Sequence, residues 1–291
     1  MAKPPSVSVL MPFYDDGSKR TRALFSSALS SVLAQTFRDF EVVVVASGEK
    51  DFARKQSARS KKIRLSFFEQ EKMGYGKIPL KEKVRGIVTA RNLCLRRARG
   101  RLVAFADYDD LSLPGRLRAE YDFLERHPEI GAVGSQMVLI DADGNEVGVR
   151  GAFEDDGEIR RRFVQFNTVP QPTLMARLAI VKQAGAFRLD GIPEDFDLWV
   201  RMAKLTLFHN LQVPLVKYRV HSGGGATIYK FPLYLGSLRV KMKAARELGL
   251  RVGVADVLVN IFQFVSLFFP EGVRRTVLEG IRSRVVIARK N

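Results

Sequence analysis

Asp107, Asp109 and Asp110 fall within four residues, directly after the apolar run from Leu102 to Ala106. Carboxylates crowded this closely repel one another, and such a cluster persists most easily when a cation neutralises it. Their oxygens are hard ligands suited to magnesium or manganese, ions that commonly bridge the phosphates of a substrate. The same residues also fit a plainer description, a solvated acidic turn that caps the next helix through Asp110 or Ser112. Two more polar groups stand out downstream, Glu194-Asp195-Phe196-Asp197 and Tyr218-Arg219-Val220-His221.

The elements around these residues say where they must sit. Val7 to Met11 reads as a buried strand stopped by Pro12. Leu24, Phe25, Ala28, Leu29, Val32 and Leu33 recur at helical spacing. Glu41 to Val45 is a β-branched run without alternation, as expected of a strand covered on both faces. Ile63 to Phe68 is a third strand, and the Lys-rich stretch Glu69 to Arg85 has no clear period and is expected as a mobile loop. A helix is expected from about Gly86 to Ala98, closed by Gly100, before a fourth strand from Leu102 to Ala106. This alternation predicts an α/β fold with a mostly parallel central sheet flanked by helices and a C-terminal helical appendage. Ligands of such sheets bind outside the carboxyl ends of the strands. Pro12 to Asp16, Ala46 to Asp51 and Asp107 to Asp110 all lie there. Further on, Pro114 with the Leu117, Tyr121, Leu124 spacing predicts a helix. Ala132 to Ile140 reads as a strand, Asp143-Gly144 as a hairpin turn, and Leu207 to Val220 as strand-like.

The 291 residues have the composition of a globular chain, with no internal repeat, and the lone Cys94 excludes an intramolecular disulfide. A single cysteine fits a reducing cytoplasm, and its apolar helical setting points to a buried structural thiol. The first apolar run is too brief for a signal-peptide core, so secretion is not expected. The net charge of +17 suits nucleic acid, an anionic membrane surface or anionic small substrates. No nucleic-acid-binding motif is present and the basic residues are dispersed, so no specific nucleic acid is expected. Val252 to Phe269 is largely apolar, but Asp256, Asn260 and Gln263 interrupt it on one helical face. The segment is too polar to span a bilayer and reads as amphipathic. With Arg274, Arg275, Arg282, Arg284, Arg289 and Lys290 behind it, it fits a helix lying on an anionic bilayer, the setting of a peripheral membrane enzyme. It fits equally an appendage packed on the domain or on another subunit.

Gly86-Ile87-Val88-Thr89-Ala90-Arg91-Asn92, followed by a strand and Asp107-Tyr108-Asp109-Asp110, resembles the signature of glycosyltransferase family 2. Val7 to Tyr14, Ser31 to Phe37 with Phe40-Glu41, Glu194 to Arg201 and Tyr218 to His221 are similar to further family segments, in family order. The resemblance implies a GT-A fold, with residues 4–112 as a nucleotide-sugar half, 113–230 as an acceptor half and 231–291 as a C-terminal helical region. It implies inverting transfer from a nucleotide-diphosphate sugar to the hydroxyl of a saccharide or lipid-linked acceptor, as in cell-envelope polysaccharide or glycolipid synthesis. By position, Tyr14 would pack on the base and Arg91 near the donor phosphates or base. Asp107 would approach the ribose, with Pro12 and Ser47 in the same donor site. Asp109 would hold Mn2+ or Mg2+, with His221 as a further metal or diphosphate contact. Asp195 would be the base, Glu194 its rival and a substrate contact, with Gln171 near sugar or acceptor. Trp199 is a candidate sugar platform, although it also fits an apolar helix face. After the second strand the family commonly carries Asp-Asp-Gly-Ser, whereas this chain has Ala46-Ser47-Gly48-Glu49. That departure leaves GDP- and dTDP-sugars open beside UDP-sugars. It also raises the alternative of a donor-binding homologue without catalysis. A nucleotidyltransferase would need a Gly-rich loop after the first strand, and Pro12 to Asp16 is not one.

Overall fold

The computed structural model describes residues 3–67, 79–220 and 229–269. His221, most of the expected loop before Gly86 and the basic tail lie outside the described residues. The chain opens with β1 (Val7–Asp15), α1 (Lys19–Leu33), β2 (Phe40–Gly48), α2 (Lys50–Ser57), β3 (Ile63–Phe67), α3 (Leu80–Arg97) and β4 (Leu102–Phe105). The four strands pair in parallel in the order β3-β2-β1-β4. Helix α1 starts where the Ser18 side chain accepts from the Thr21 N–H at 3.1 Å. It buries Phe25, Ala28, Leu29 and Val32 against Val9, Met11, Val42 and Val44 on one sheet face. Helix α3 buries Val84, Val88 and Cys94 against Leu10, Val43, Val45 and Phe105 on the other. The unbroken apolar run of β2 is thus covered on both faces, which is why it does not alternate.

Two boundaries differ from the sequence expectation. Pro12 does not stop β1, which runs on to Asp15 with Pro12 opposite Val45. Leu10 turns its carbonyl toward the end of β4, accepting from the Ala106 N–H. Pro12 has the same orientation two residues later, where β4 has ended, so its missing N–H costs no ladder bond. Helix α3 begins at Leu80, six residues before the expected Gly86, so Leu80 to Arg85 is helical and not loop. The short helix α2, which buries only Ala53, gave no apolar period to read.

The second half continues the same sheet. It contains β5 (Leu111–Ser112), α4 (Arg116–Arg126), β6 (Ile130–Ile140), β7 (Glu146–Arg150), α5 (Asp156–Arg161) and β8 (Met175–Arg177). Then follow α6 (Leu178–Gln183), α7 (Glu194–Met202), β9 (Leu207–Arg219), α8 (Lys230–Glu247) and α9 (Val254–Ser266). The strand order is β3-β2-β1-β4-β8-β6-β9-β5, with β7 on β6. Beyond β4 the pairing is mixed: β8 runs antiparallel to both β4 and β6, while β6 and β9 are parallel. Gly144 turns the β6–β7 hairpin at φ 94°, in the expected Asp-Gly position. Gly100, expected only as a helix stop, has a second task. A Cβ there would lie 2.6 Å from the Ser8 nitrogen, so only glycine lets the chain enter β4 beside β1.

Candidate functional site

The carboxyl ends of β1, β2 and β4 meet the start of α7 and the middle of α3. On β1, half-buried Pro12 and Tyr14 alternate with buried Met11, Phe13 and Asp15, placing Pro12 and Tyr14 on the α3 side with Leu10. Tyr14 stands opposite buried Ser47, and Gly48 turns the chain at φ 83°. A Cβ on Gly48 would lie 2.1 Å from the Asp15 carbonyl oxygen. The glycine that survives in Ala46-Ser47-Gly48-Glu49 is therefore required by the backbone.

Arg91 joins the two halves. Its guanidinium donates to Glu194 Oε1 at 2.5 Å and Gln171 Oε1 at 2.7 Å, and lies 3.7 Å from Asp107 Oδ1. The Phe187 ring covers it at 5.4 Å, and Nε is buried without a hydrogen bond. One cation thus serves two carboxylates from opposite halves of the chain. Lys83, two turns earlier on α3, is held below the usual lysine range by burial, against the opposing pull of Glu194.

Asp195 lies in the first turn of α7. Its Oδ2 accepts from the Asn167 side-chain amide at 3.1 Å and its Oδ1 from the Phe196 N–H at 2.7 Å. Burial pushes its pKa up to about 6, the charge of Glu194 adding and that of Arg91 opposing. Asp107 is also pushed up to about 6, by burial first, with Arg91 opposing and Asp109 and Glu194 adding. Asp107, Asn167, Gln171 and Asp195 line one cavity of about 410 Å³, with Arg150, Phe153 and Tyr218 across from the mixed half. Tyr234 and Lys241 of α8 and Gln263 of α9 complete its wall, so the C-terminal helices belong to the cavity. Asp109 is half-buried and does not line it, although its charge reaches Asp107.

The turn that carries the aspartates is gripped by the end of β9. Asp110 Oδ1 accepts the Arg219 N–H at 2.8 Å, and Arg219 Nε donates to the Asp109 carbonyl at 3.1 Å. Arg219 Nη1 donates to the carbonyls of Asp141 and Ala142. Asp110 is raised well above the usual range by burial and by the charges of Asp109 and Asp107. Its Oδ2 is buried without a hydrogen bond. The capping alternative does not describe this turn, because α4 starts behind Gly115 with no side-chain cap.

A strand-end acidic turn, an Arg on the preceding helix and a helix-borne acidic pair across one cavity agree with the match of residues 8–179 to the model of glycosyl transferase family 2. The chain belongs to that family. EpsE of Bacillus subtilis, named as a glycosyltransferase, is 31% identical over 239 residues, 75% of this chain and 74% of its own. The fold resembles that of TarS 1-349 of S. aureus in complex with UDP-GlcNAc, with a TM-score of 0.62 at 20% identity over 92% of this chain and 77% of that one. It also resembles the mannosyltransferase PcManGT of Pyrobaculum calidifontis in complex with GDP-Man and Mn2+, with a TM-score of 0.50 at 15% identity over 97% and 86% of the two chains.

Within this glycosyltransferase, one expected substrate contact is corrected. Trp199 is fully buried, edge-on to Phe105 at 5.7 Å inside the apolar core, and offers no face to a sugar. Asp197, two residues after Asp195, is tied to Arg201 at 2.8 Å and Lys243 at 2.6 Å and pins α7 to α8. Sequence reasoning passed over Asn167, Arg150 and Tyr234. Arg150 ends β7, Asn167 lies in a loop and Tyr234 on α8, and only the tertiary fold brings them to one cavity. Among the described residues no three His, Cys, Asp or Glu side chains gather as a metal site. The aspartate turn still suits a divalent ion that arrives with phosphates. Magnesium-type ions need only one or two protein carboxylates in such sites, and one Asp110 oxygen is left without a partner.

Proposed function

We propose that this glycosyltransferase moves a sugar, with inversion, from a nucleotide-diphosphate donor to the hydroxyl of a saccharide or lipid-linked acceptor. The observation that carries the reading is the single cavity onto which both Asp107 and Asp195 open. Residues 4–112 would supply the donor half, with Tyr14, Pro12 and Ser47 around the nucleotide and Asp107 toward its ribose. Residues 113–230 would supply the acceptor half, with Gln171 beside the sugar.

Asp195 would take the proton of the attacking hydroxyl, a role worth roughly 10²–10⁴-fold for a positioned base. Its partners are the neutral Asn167 amide and a backbone N–H, which leave the carboxylate basic. Glu194, the rival, is engaged by Arg91 at 2.5 Å and is better suited to orienting that guanidinium. A base on the face opposite the departing diphosphate gives inversion. A divalent ion, Mn2+ or Mg2+, would neutralise charge growing on that diphosphate. Asp109 would hold it, with His221 as a further metal or diphosphate contact. Aromatic faces at Phe153, Tyr218 and Tyr234 support an acceptor site on the far wall. A cytoplasmic setting agrees with the single, buried Cys94.

The test is thermal-shift titration with UDP, GDP and dTDP, each with and without Mn2+. Binding to the native state raises apparent stability in proportion to the logarithm of ligand concentration over Kd. Metal-dependent stabilisation by one diphosphate names the donor class, and no stabilisation by any of the three removes the reading.

A further inference from the structure

Helix α9 is docked with its polar side inward. Its buried positions are Asp256, Gln263 and Ser266, with Asn260 half-buried between them. Asp256 accepts from Arg161, from the Gln165 side chain and from the Gly253 N–H. Asn260 donates to the Val164 carbonyl and accepts from Lys241. Gln263 donates to the Gln165 carbonyl and accepts from Lys241 as well. The opposite side is apolar and open, with Val254 77%, Leu258 59% and Ile261 52% exposed, continuing past the helix to Phe268 at 68%. A helix held by so many specific polar contacts cannot roll over to hide its apolar side without orphaning every one of them.

We infer that this outward face of α9 seats the protein on an anionic bilayer, lying in its plane. Charge selects that occupant over a second copy of the chain. The net charge is +17, and like-charged copies repel while anionic lipid attracts. Exposed Arg251 lies in the loop that leads into the helix. A helix of 13 residues is about 20 Å long, short of the roughly 30 Å hydrocarbon core. No described helix is long and apolar enough to cross a membrane. The inner side of α9 contributes Gln263 to the cavity wall. A bilayer against its outer side therefore lies about one helix diameter, roughly 10 Å, from the cavity. The acceptor class that follows is amphiphilic, a sugar-accepting head on a lipid. That last step rests on the transferase reading, whereas bilayer docking does not.

The experiment is co-sedimentation of the full chain with phosphatidylcholine vesicles, with and without phosphatidylglycerol, at low and high salt. Wild-type protein is expected to sediment with phosphatidylglycerol vesicles at low salt, and the double variant Leu258→Glu, Ile261→Glu to lose about tenfold or more in partitioning. Both substituted side chains point away from the domain, so the variant should keep its melting temperature and its diphosphate-induced shift. Loss of that shift in the wild type would count against the transferase reading alone. A Leu258→Trp variant gives a second readout, since its indole emission should move to shorter wavelength on adding the same vesicles. The inference is overturned if wild-type protein stays in the supernatant, if the double variant sediments equally, or if the emission does not move. It is also overturned if lipid-free protein is a dimer that the double variant dissociates, which would assign the face to a second copy.

Discussion

Asp195 and Asp197 sit two residues apart on one helix and live in opposite electrostatic worlds. Asp197 turns toward α8, where Arg201 and Lys243 neutralise it. Asp195 turns to the cavity, where its hydrogen-bond donors are an amide and an N–H, and burial with the Glu194 charge outweighs Arg91 and pushes its pKa up to about 6. The contrast extends through the fold. Glu41 is also buried, which works to raise its pKa, yet hydrogen bonds from Arg99 and Ser8 and the Arg99 charge outweigh that and hold it low. Asp197 and Glu41 are thus held by charged donors, whereas the hydrogen-bond donors of Asp195 are neutral. A base requires such a setting, and its cost is stability.

The largest effect expected of breaking this contrast is on transfer. Asp195→Asn should keep diphosphate binding and lose at least about 10²-fold in turnover, read as nucleoside diphosphate release. Near-normal turnover would remove Asp195 from the base role. The same variant should melt higher at pH 7. Asp195 holds a proton more tightly folded than unfolded, so its favourable contribution is complete below its usual 3.8 and is lost as pH rises through about 6. The amide cannot ionise and escapes that loss. Arg201→Met tests the opposite side of the comparison. It leaves Asp197 with Lys243 alone and strips the Ala184 and Ala186 carbonyls of their donor, and a destabilisation of about 1–3 kcal/mol is expected in denaturant unfolding. Arg91→Lys keeps a positive charge but cannot serve Glu194, Gln171 and Asp107 together. It should lower turnover about tenfold, a loss of roughly 1.4 kcal/mol of barrier stabilisation. Smallest is the effect of pH: transfer should fall as pH drops through about 6, and Asp195→Asn should abolish that limb of the profile.

Much of the donor-side architecture was legible because its signals are local. The apolar runs of β1, β2 and β4 and the Asp107 to Asp110 turn each declare themselves within ten residues. Pro12 misled because a strand's tolerance of proline depends on which neighbour has already ended. The start of α3 was hidden by its charged residues, and Lys83, eight residues before Arg91 on that helix, was hidden with it. The other side of the site is assembled by tertiary contacts. Nothing in Phe166-Asn167-Thr168 predicts an amide against Asp195, and nothing local in α8 places Tyr234 at a cavity. The Trp199 spacing was legible as a core stripe, and the core claimed it. Asp256, Asn260 and Gln263 were visible as one face, but only their partners reveal that the polar face is the inner one.

The antiparallel seam between β4 and β8 has a practical consequence for dissecting the protein. β8 arrives from late in the sequence, pairing Leu102 with Arg177 and Ala104 with Met175, and it closes the flank of the first four strands. A truncated polypeptide ending near residue 112 would leave β4 as a bare, apolar border with unpaired amides, a template for sticking to its own kind. Such a fragment should be recovered as aggregates, and attempts to shuffle donor preference between relatives should exchange side chains within the intact chain and not whole halves.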